Sequence, residues 1–303
     1  MTTTAPDHAA ARELPGSRVR GLIRACRPRH WVKNVLVLAA PAFAGVLTDP
    51  AAVADVLIAF VAFCLAASGT YLVNDARDAA ADQAHPRKRL RPVAAGQVSV
   101  RLAYVTGAGF LLAAIALAPL TGTWYLAVVI AGYVALTTAY SLRVKHVPVL
   151  DLVCVAGGFV LRAIAGAVAV EVSVSSWFLI VATLVSLFVV AGKREAELRN
   201  AERGDSRRTL HLYTRDFLRY VRATTSGAVL VAYCLWAFEL HEGLSRLAFG
   251  LSIVPFTVGI LRYAMLVDAG HGEEPELTAP SDPMILTSGI VLACCVVVGV
   301  YVV

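Results

Sequence analysis

Residues 71–96 read YLVNDARDAAADQAHPRKRLRPVAAG. The run before them, residues 51–73, is apolar and long enough to cross a bilayer, so this stretch meets water at a membrane surface. It carries three carboxylates, Asp75, Asp78 and Asp82, with Asn74 beside them. If the helix continues through this stretch, the spacing places all three on one face, within about 60° of arc. Such a stripe repels itself unless a hard cation sits against it. Mg²⁺ takes oxygen ligands and keeps substrate phosphates in its shell, which makes Asn74, Asp75 and Asp78 candidate metal ligands. Arg87, Lys88, Arg89 and Arg91 follow at once, as a phosphate site requires.

The rest of the chain agrees with a membrane setting. Of 303 residues, 58% are hydrophobic and 16% charged, and the mean hydropathy is +0.70. Soluble domains carry roughly 25% charged residues. These values exclude a soluble enzyme and a nucleic-acid-binding protein, despite the net charge of +6. Five of the six cysteines lie in apolar runs and none forms a CxxC pair, so they read as small apolar filler. The first 30 residues lack the apolar stretch of a secretory signal.

Residues 1–17 are polar and read as a disordered tail, followed by one transmembrane catalytic domain, 18–303. Arg18 to His30 is basic and reads as a short surface helix. Nine apolar segments follow: 32–48, 53–73, 100–118, 124–142, 148–169, 175–192, 223–241, 246–264 and 284–303. The first is short and holds Pro41, so a kink or tilt is expected there. With the N-terminus in the cytoplasm, nearly all Lys and Arg fall on the cytoplasmic side, at 74–99, 143–147, 193–222 and the N-terminal stretch. The connection 265–283 is acidic, and acidic residues count little in this rule. The expected architecture is an all-α integral membrane protein of nine transmembrane helices, with a cytoplasm-facing polar cavity. Polar loops after the second and sixth spans give a weak echo of two related halves.

Further candidates lie on the same side. Tyr140, Arg143 and Lys145 leave the fourth span and suit a phosphate or diphosphate. Asp151 and Arg162 fall inside the fifth span, where ionisable groups are costly and functional or paired. They are three helical turns apart, about 16 Å, so each should face a cavity or another helix. Lys193, Arg194 and Glu197 leave the sixth span, Lys193 and Glu197 one turn apart on one face. The later arginines, Arg199 to Arg222, read mainly as attraction to anionic lipid. Lys33 and Asn34, entering the first span, suit a lipid phosphate at headgroup level, and Trp31 an interface anchor.

The pattern Asn74-Asp75-x-x-Asp78-x-x-x-Asp82-x-x-His85-Pro86, then Arg91-Pro92-x-x-x-Gly96, resembles the first aspartate-rich motif of the UbiA-type intramembrane prenyltransferase superfamily. That resemblance implies a UbiA-like bundle and Mg²⁺ held by first-loop carboxylates on a diphosphate leaving group. Most members carry DxxxD after the sixth helix, where this chain has Lys193-x-x-x-Glu197. This form, with Arg27-Pro28-x-x-Trp31-Val32-Lys33-Asn34, Tyr140 to Lys145 and Gly158-Phe159-x-Leu161-Arg162, is similar to one branch, the decaprenyl-phosphate phosphoribosyltransferases of cell-wall biosynthesis.

The branch resemblance implies phosphoribosyl pyrophosphate as donor, a polyprenyl phosphate as acceptor, and a multi-pass protein of the plasma membrane with a cytoplasmic site. On that reading Asp75, Asp78 and Asp82 are catalytic. Lys33, Asn34, Asn74, Arg87, Tyr140, Arg143, Lys145, Arg162, Lys193, Arg194 and Glu197 contact substrate. Two other readings stay open: prenyl transfer to an aromatic ring, and secondary transport. A homo-oligomer is open too.

Overall fold

The computed structural model describes residues 15–86, 88–201, 210, 212–239 and 242–302. Among them the backbone is helical, with no strand. The tail expected at 1–17 lies outside the described residues up to 14, and a basic helix begins at its end, α1 (Pro15–Cys26).

Among the described residues, eight helices are long and apolar enough to cross a membrane. They are α3 (Pro50–Arg77), α5 (Val100–Leu117), α6 (Tyr125–Leu142), α7 (Leu150–Ala169), α8 (Ser176–Ala201), α9 (Arg215–Glu239), α10 (Gly243–Asp268) and α12 (Pro283–Val297). Short helices complete the set: α2 (Ala39–Phe43), α4 (Ala79–Gln83) and α11 (Pro275–Ser281). The outward faces are apolar: Leu112 and Val254 are 70% and 65% exposed, which suits lipid rather than water.

The segment expected as a first membrane helix, 32–48, is not one α-helix. A 3-10 helix runs Pro28–Leu38, α2 follows, and a 3-10 turn covers Val46–Thr48. The 3-10 form has three residues per turn, so side chains three apart eclipse each other. Trp31, Asn34 and Val37 therefore share one face. Trp31 Nε1 donates to Ser68 Oγ at 3.1 Å, Asn34 Nδ2 to Cys64 Sγ at 3.2 Å, and Val37 is fully buried. An α-helix would turn these three progressively away from α3. Gly45 adopts φ +75° and ends α2.

Backbones approach closely where small residues permit it. A Cβ on Gly166 of α7 would lie 1.7 Å from the Val37 carbonyl oxygen, and one on Gly69 of α3 would lie 2.8 Å from that of Gly107 on α5. Two of the apolar cores that result pack the spans against each other. Val37, Phe63, Leu126, Ile130 and Ala165 fill one, among α3, α5, α6 and α7. Phe188, Val229, Ile260 and Tyr263 begin the other, among α8, α9 and α10, and Trp236 and Phe249 extend it to α12. The C-terminus closes the ring, with Tyr301 donating to the Ala42 carbonyl at 3.0 Å.

The connection expected at 193–222 is largely helix. α8 runs on to Ala201, and α9 begins at Arg215. Lys, Arg, Glu and Ala are strong helix formers, and the pairs Lys193–Glu197 and Glu195–Arg199 sit one turn apart.

Gly166→Ala should lower the melting temperature of the detergent-solubilised protein by several degrees, because the added methyl meets backbone. Gly132→Ala, where a Cβ meets nothing within 4 Å, should leave it unchanged or raise it. A thermal-shift comparison of the two checks this.

Candidate functional site

The C-terminal ends of α3, α6, α8 and α10 and the N-terminal ends of α7 and α9 gather at one end of the bundle, with the 3-10 helix and α11. Nearly all the sequence-predicted site residues lie there. Arg87 lies outside the described residues, as do Arg203, Arg207 and Arg208 of the later arginines.

The three first-loop carboxylates do not form one continuous helix face. α3 ends at Arg77, and Asp78 is the joint between α3 and α4, with φ −89° and ψ 3°. This break splits the stripe. Asp75 and Asp82 turn inward, 2% and 4% exposed, and share Arg91: its Nη1 is 3.3 Å from Asp75 Oδ1 and 2.7 Å from Asp82 Oδ2. Arg27 adds a contact of 2.7 Å to Asp75 Oδ1. Arg27 reaches it from a left-handed backbone conformation, φ 53°, between α1 and the 3-10 helix. Asp78 faces elsewhere and holds Arg77 at 2.9 Å. Partial burial pushes its carboxyl upward in pKa, but Arg77, Lys145 and Arg91 outweigh that and hold it below the usual range.

The α6–α7 connection joins this acidic cluster to the next. Asn74 Nδ2 donates to Ser141 Oγ at 2.9 Å, and Lys145 stands near enough to Asp78 to favour its ionised form. Arg143 is exposed. Tyr140 accepts from Arg194 Nη2 at 2.9 Å. Arg194 is buried, and its other nitrogens are taken as well: Nε by Asp151 at 2.9 Å and Nη1 by Glu197 at 2.6 Å. Lys193 is 3.9 Å from the other Glu197 oxygen. Asp151 also accepts from the Tyr213 hydroxyl. Burial and that bond push the Tyr213 phenol well up, so it stays protonated.

Asp151 and Arg162 do not pair, as their spacing implies. Arg162 donates to Asn34 Oδ1 at 2.7 Å, the Gly158 carbonyl at 2.6 Å and the Tyr133 hydroxyl at 2.9 Å. Asn34 is fully buried. The structure spends Asn34 and Arg162 on each other and on neighbouring helices, as a brace inside the bundle.

Lys33 meets Glu276 of α11 at 2.8 Å. Burial pushes the Glu276 carboxyl up, but the hydrogen bond and charge of Lys33 outweigh it and keep the pKa below the usual range. His30 stands 4.0 Å from the same Glu276 oxygen. Burial, then Lys33, lowers His30 to about 4, so at neutral pH it is an uncharged ring. Its Nδ1 is 3.2 Å from the Tyr71 hydroxyl.

Two features of this end of the bundle escape sequence reading. Glu276 sits in the acidic connection that counted least in the topology, and nothing in its spacing ties it to Lys33. Glu195 is fully buried and gathers Arg222 at 2.9 Å, Arg219 at 3.3 Å and Arg199 at 3.8 Å. Arg222 also reaches Asp268 at 2.5 Å. These three arginines therefore turn to the protein, against the expectation of lipid headgroups. An available signal was Glu195 itself, a carboxylate beside an apolar span.

No three His, Cys, Asp or Glu side chains converge as a ready metal cage among the described residues. Mg²⁺ needs none, since it binds one or two protein carboxylates and fills its shell with water and phosphate oxygens. Asp75 carries Arg27 and Arg91 on one oxygen and Asp78 faces Arg77, so the two carboxylates do not converge here; a single carboxylate with Asn74 beside it meets that requirement.

Residues 35–301 match the UbiA prenyltransferase family. A protein of Corynebacterium glutamicum named decaprenyl-phosphate phosphoribosyltransferase is 44% identical, over 99% of this chain and 92% of its own length. One of the same name from Mycolicibacterium smegmatis is 46% identical over 88% of each. Among solved structures, a UbiA homolog from Archaeoglobus fulgidus bound to DMAPP and Mg²⁺ superposes with a TM-score of 0.70 at 19% identity, over 93% of this chain and all of that one. At that identity the likeness concerns the fold alone.

Glu195→Ala would take from buried Arg222 one of its two carboxylates, leaving it Asp268 and the Ala264 carbonyl, and would remove the partner of Arg219 and Arg199, a loss of about 1.5–3 kcal/mol. Arg77→Ala removes a half-exposed pair worth at most about 1 kcal/mol. Thermal unfolding in detergent should rank the first variant below the second.

Proposed function

We propose that this chain, which belongs to the UbiA prenyltransferase family, transfers a 5-phosphoribosyl group from phosphoribosyl pyrophosphate to a polyprenyl phosphate and releases diphosphate. The observation that carries this reading is the cation at 193. Lys193 stands one turn from Glu197 in a cluster that Tyr140 and Lys145 connect to Asp78. A lysine there suits a donor with a phosphate beyond its diphosphate. The name shared by full-length relatives at 44–46% identity supports the same donor and acceptor.

The geometry supports the following roles. Asp75 and Asp78, with Asn74, would hold Mg²⁺, which when bound supplies positive charge to the diphosphate leaving group. Arg91 and Arg27 fix Asp75, and Arg91 also fixes Asp82, which supports the metal side or the ribose. Lys145 and exposed Arg143 steady diphosphate. Lys193 takes the 5-phosphate. Arg194, its nitrogens already engaged, positions Glu197 and Tyr140 rather than binding phosphate itself. Lys33 receives the lipid phosphate, and Asn34 and Arg162 brace the segment that presents it. The acceptor phosphate is already an anion at neutral pH, so no strong base is required. Catalysis is then positioning and electrostatic stabilisation while the C1–diphosphate bond breaks and the bond to the lipid phosphate oxygen forms.

The membrane topology belongs to the same proposal. At about 2.0 Å rise per residue in 3-10 form and 1.5 Å in α form, residues 32–48 reach about 30 Å, enough for a ninth crossing. Nine crossings place the basic ends and the site in the cytoplasm, at the plasma membrane. The product is a precursor of the arabinose donor for cell-wall arabinan.

Purified protein with labelled phosphoribosyl pyrophosphate and decaprenyl phosphate should form a labelled lipid, and prenyl pyrophosphate with 4-hydroxybenzoate should not react. Chelation of divalent ions, or Asp75→Asn or Asp78→Asn in folded protein, should cut turnover by more than about 100-fold. Full activity in chelator would refute the metal assignment. Lys193→Ala should raise KM for the donor about 10- to 100-fold, the cost of one charge-assisted phosphate contact of about 1.5–3 kcal/mol, with a smaller effect on KM for the lipid.

A further inference from the structure

The short helix α11 carries the one buried side-chain oxygen or nitrogen atom without a hydrogen-bond partner among the described residues, Oε2 of Glu276. The Glu276 side chain is 7% exposed, and its other oxygen is held by Lys33 at 2.8 Å. An ionised carboxylate only accepts hydrogen bonds. Leaving one of its oxygens buried and unmatched is costly, and such an atom in a folded protein calls for a donor.

The carboxylate stands at one end of a row of side chains that leads to the acidic cluster. His30 lies 4.0 Å from the Glu276 carboxylate and 3.2 Å from the Tyr71 hydroxyl. The Arg27 guanidinium stands 4.6 Å over the Tyr71 ring and reaches Asp75 at 2.7 Å. Lys193 is close enough to the carboxylate to favour its ionised form. α11 is anchored to its neighbours. Thr278 donates to the His271 carbonyl at 2.7 Å. Asp282 caps α12 through Met284 and Ile285 and holds Arg262 at 2.8 Å. The carboxylate is thus presented by an anchored element to the side of the site where Lys33 and Lys193 meet.

We propose that Glu276 Oε2 accepts a hydrogen bond from a ribose hydroxyl of the donor, which makes α11 the wall that recognises a sugar. This rests on the phosphoribosyl reading above and adds a specificity residue to it. A fully ionised phosphate and a prenyl chain alike have no hydrogen to donate to this oxygen. Only a hydroxyl-bearing donor satisfies the oxygen, so the contact selects a pentosyl group against an isoprenyl group.

The test compares wild type, Glu276→Gln and Glu276→Ala on phosphoribosyl pyrophosphate and on its 2-deoxy and 3-deoxy analogues, with decaprenyl phosphate as acceptor. Glu276→Gln keeps the shape of the side chain and guards against misfolding of the alanine variant. The expected result is a loss of at least about 10-fold in kcat/KM on the ribosyl donor, and little further loss on one of the deoxy analogues, because the same contact is already gone. An equal loss on all three donors would mean that Glu276 only braces Lys33, and it would overturn the inference. No loss at all would overturn it too. Wild-type protein inert toward phosphoribosyl pyrophosphate would instead sink the functional reading itself, and the inference with it.

Discussion

Taking a carboxylate out of water costs several kcal/mol unless a cation or a set of donors replaces the lost hydration. The polar end of this bundle is built around that constraint. Asp75 and Asp82 share Arg91, Asp151 takes Arg194 and Tyr213, and Glu195 takes Arg222. Each pair joins separate segments of the chain, so charge matching fixes how the helix ends sit relative to one another. α7 is locked to α8 by Asp151–Arg194, α8 to α9 by Glu195–Arg222, and the 27–34 segment to α3 by Arg27–Asp75.

Apolar packing alone would leave those ends free to slide. Helices in lipid gain little from burying apolar side chains against one another, because lipid is as apolar as leucine. Close approach at Gly166, Gly69 and Gly107 supplies van der Waals contact, and the ionic pairs supply register. The brace of Arg162, Asn34 and Tyr133 does the same inside the bundle, between α7, the 3-10 helix and α6. Lys33 and Lys193 are paired but less deeply buried than Arg194, which is already committed to Asp151.

Much of the site was legible because the bilayer forces polar residues to declare themselves. The first-loop aspartates, the lysine and glutamate leaving the sixth span, and the ionisable residues of the fifth all stand out against apolar sequence. Other features were hidden. The 3-10 conformation of 28–38 depends on partners at Ser68, Cys64 and Gly166, none of them local. The residues around 193–199 and 215–222 read as loop by their charge, yet they continue α8 and α9, since the same charges pair along and between helices.

By itself the sequence determined that the chain is a multi-pass helical membrane protein with its charge gathered at one end, because apolar run length and the sidedness of Lys and Arg are properties of local composition. It also marked Asp75, Asp78, Asp82, Lys193 and Glu197, because their spacing lies along single segments. Only the tertiary structure decided which charges are spent. It split the three aspartates at Asp78, committed Arg162 and Arg194 to internal partners, drew Arg219 and Arg222 onto Glu195, and brought Glu276 to Lys33 across more than 240 residues of chain. Pairing between distant segments depends on distances in space, and spacing along the chain does not contain them.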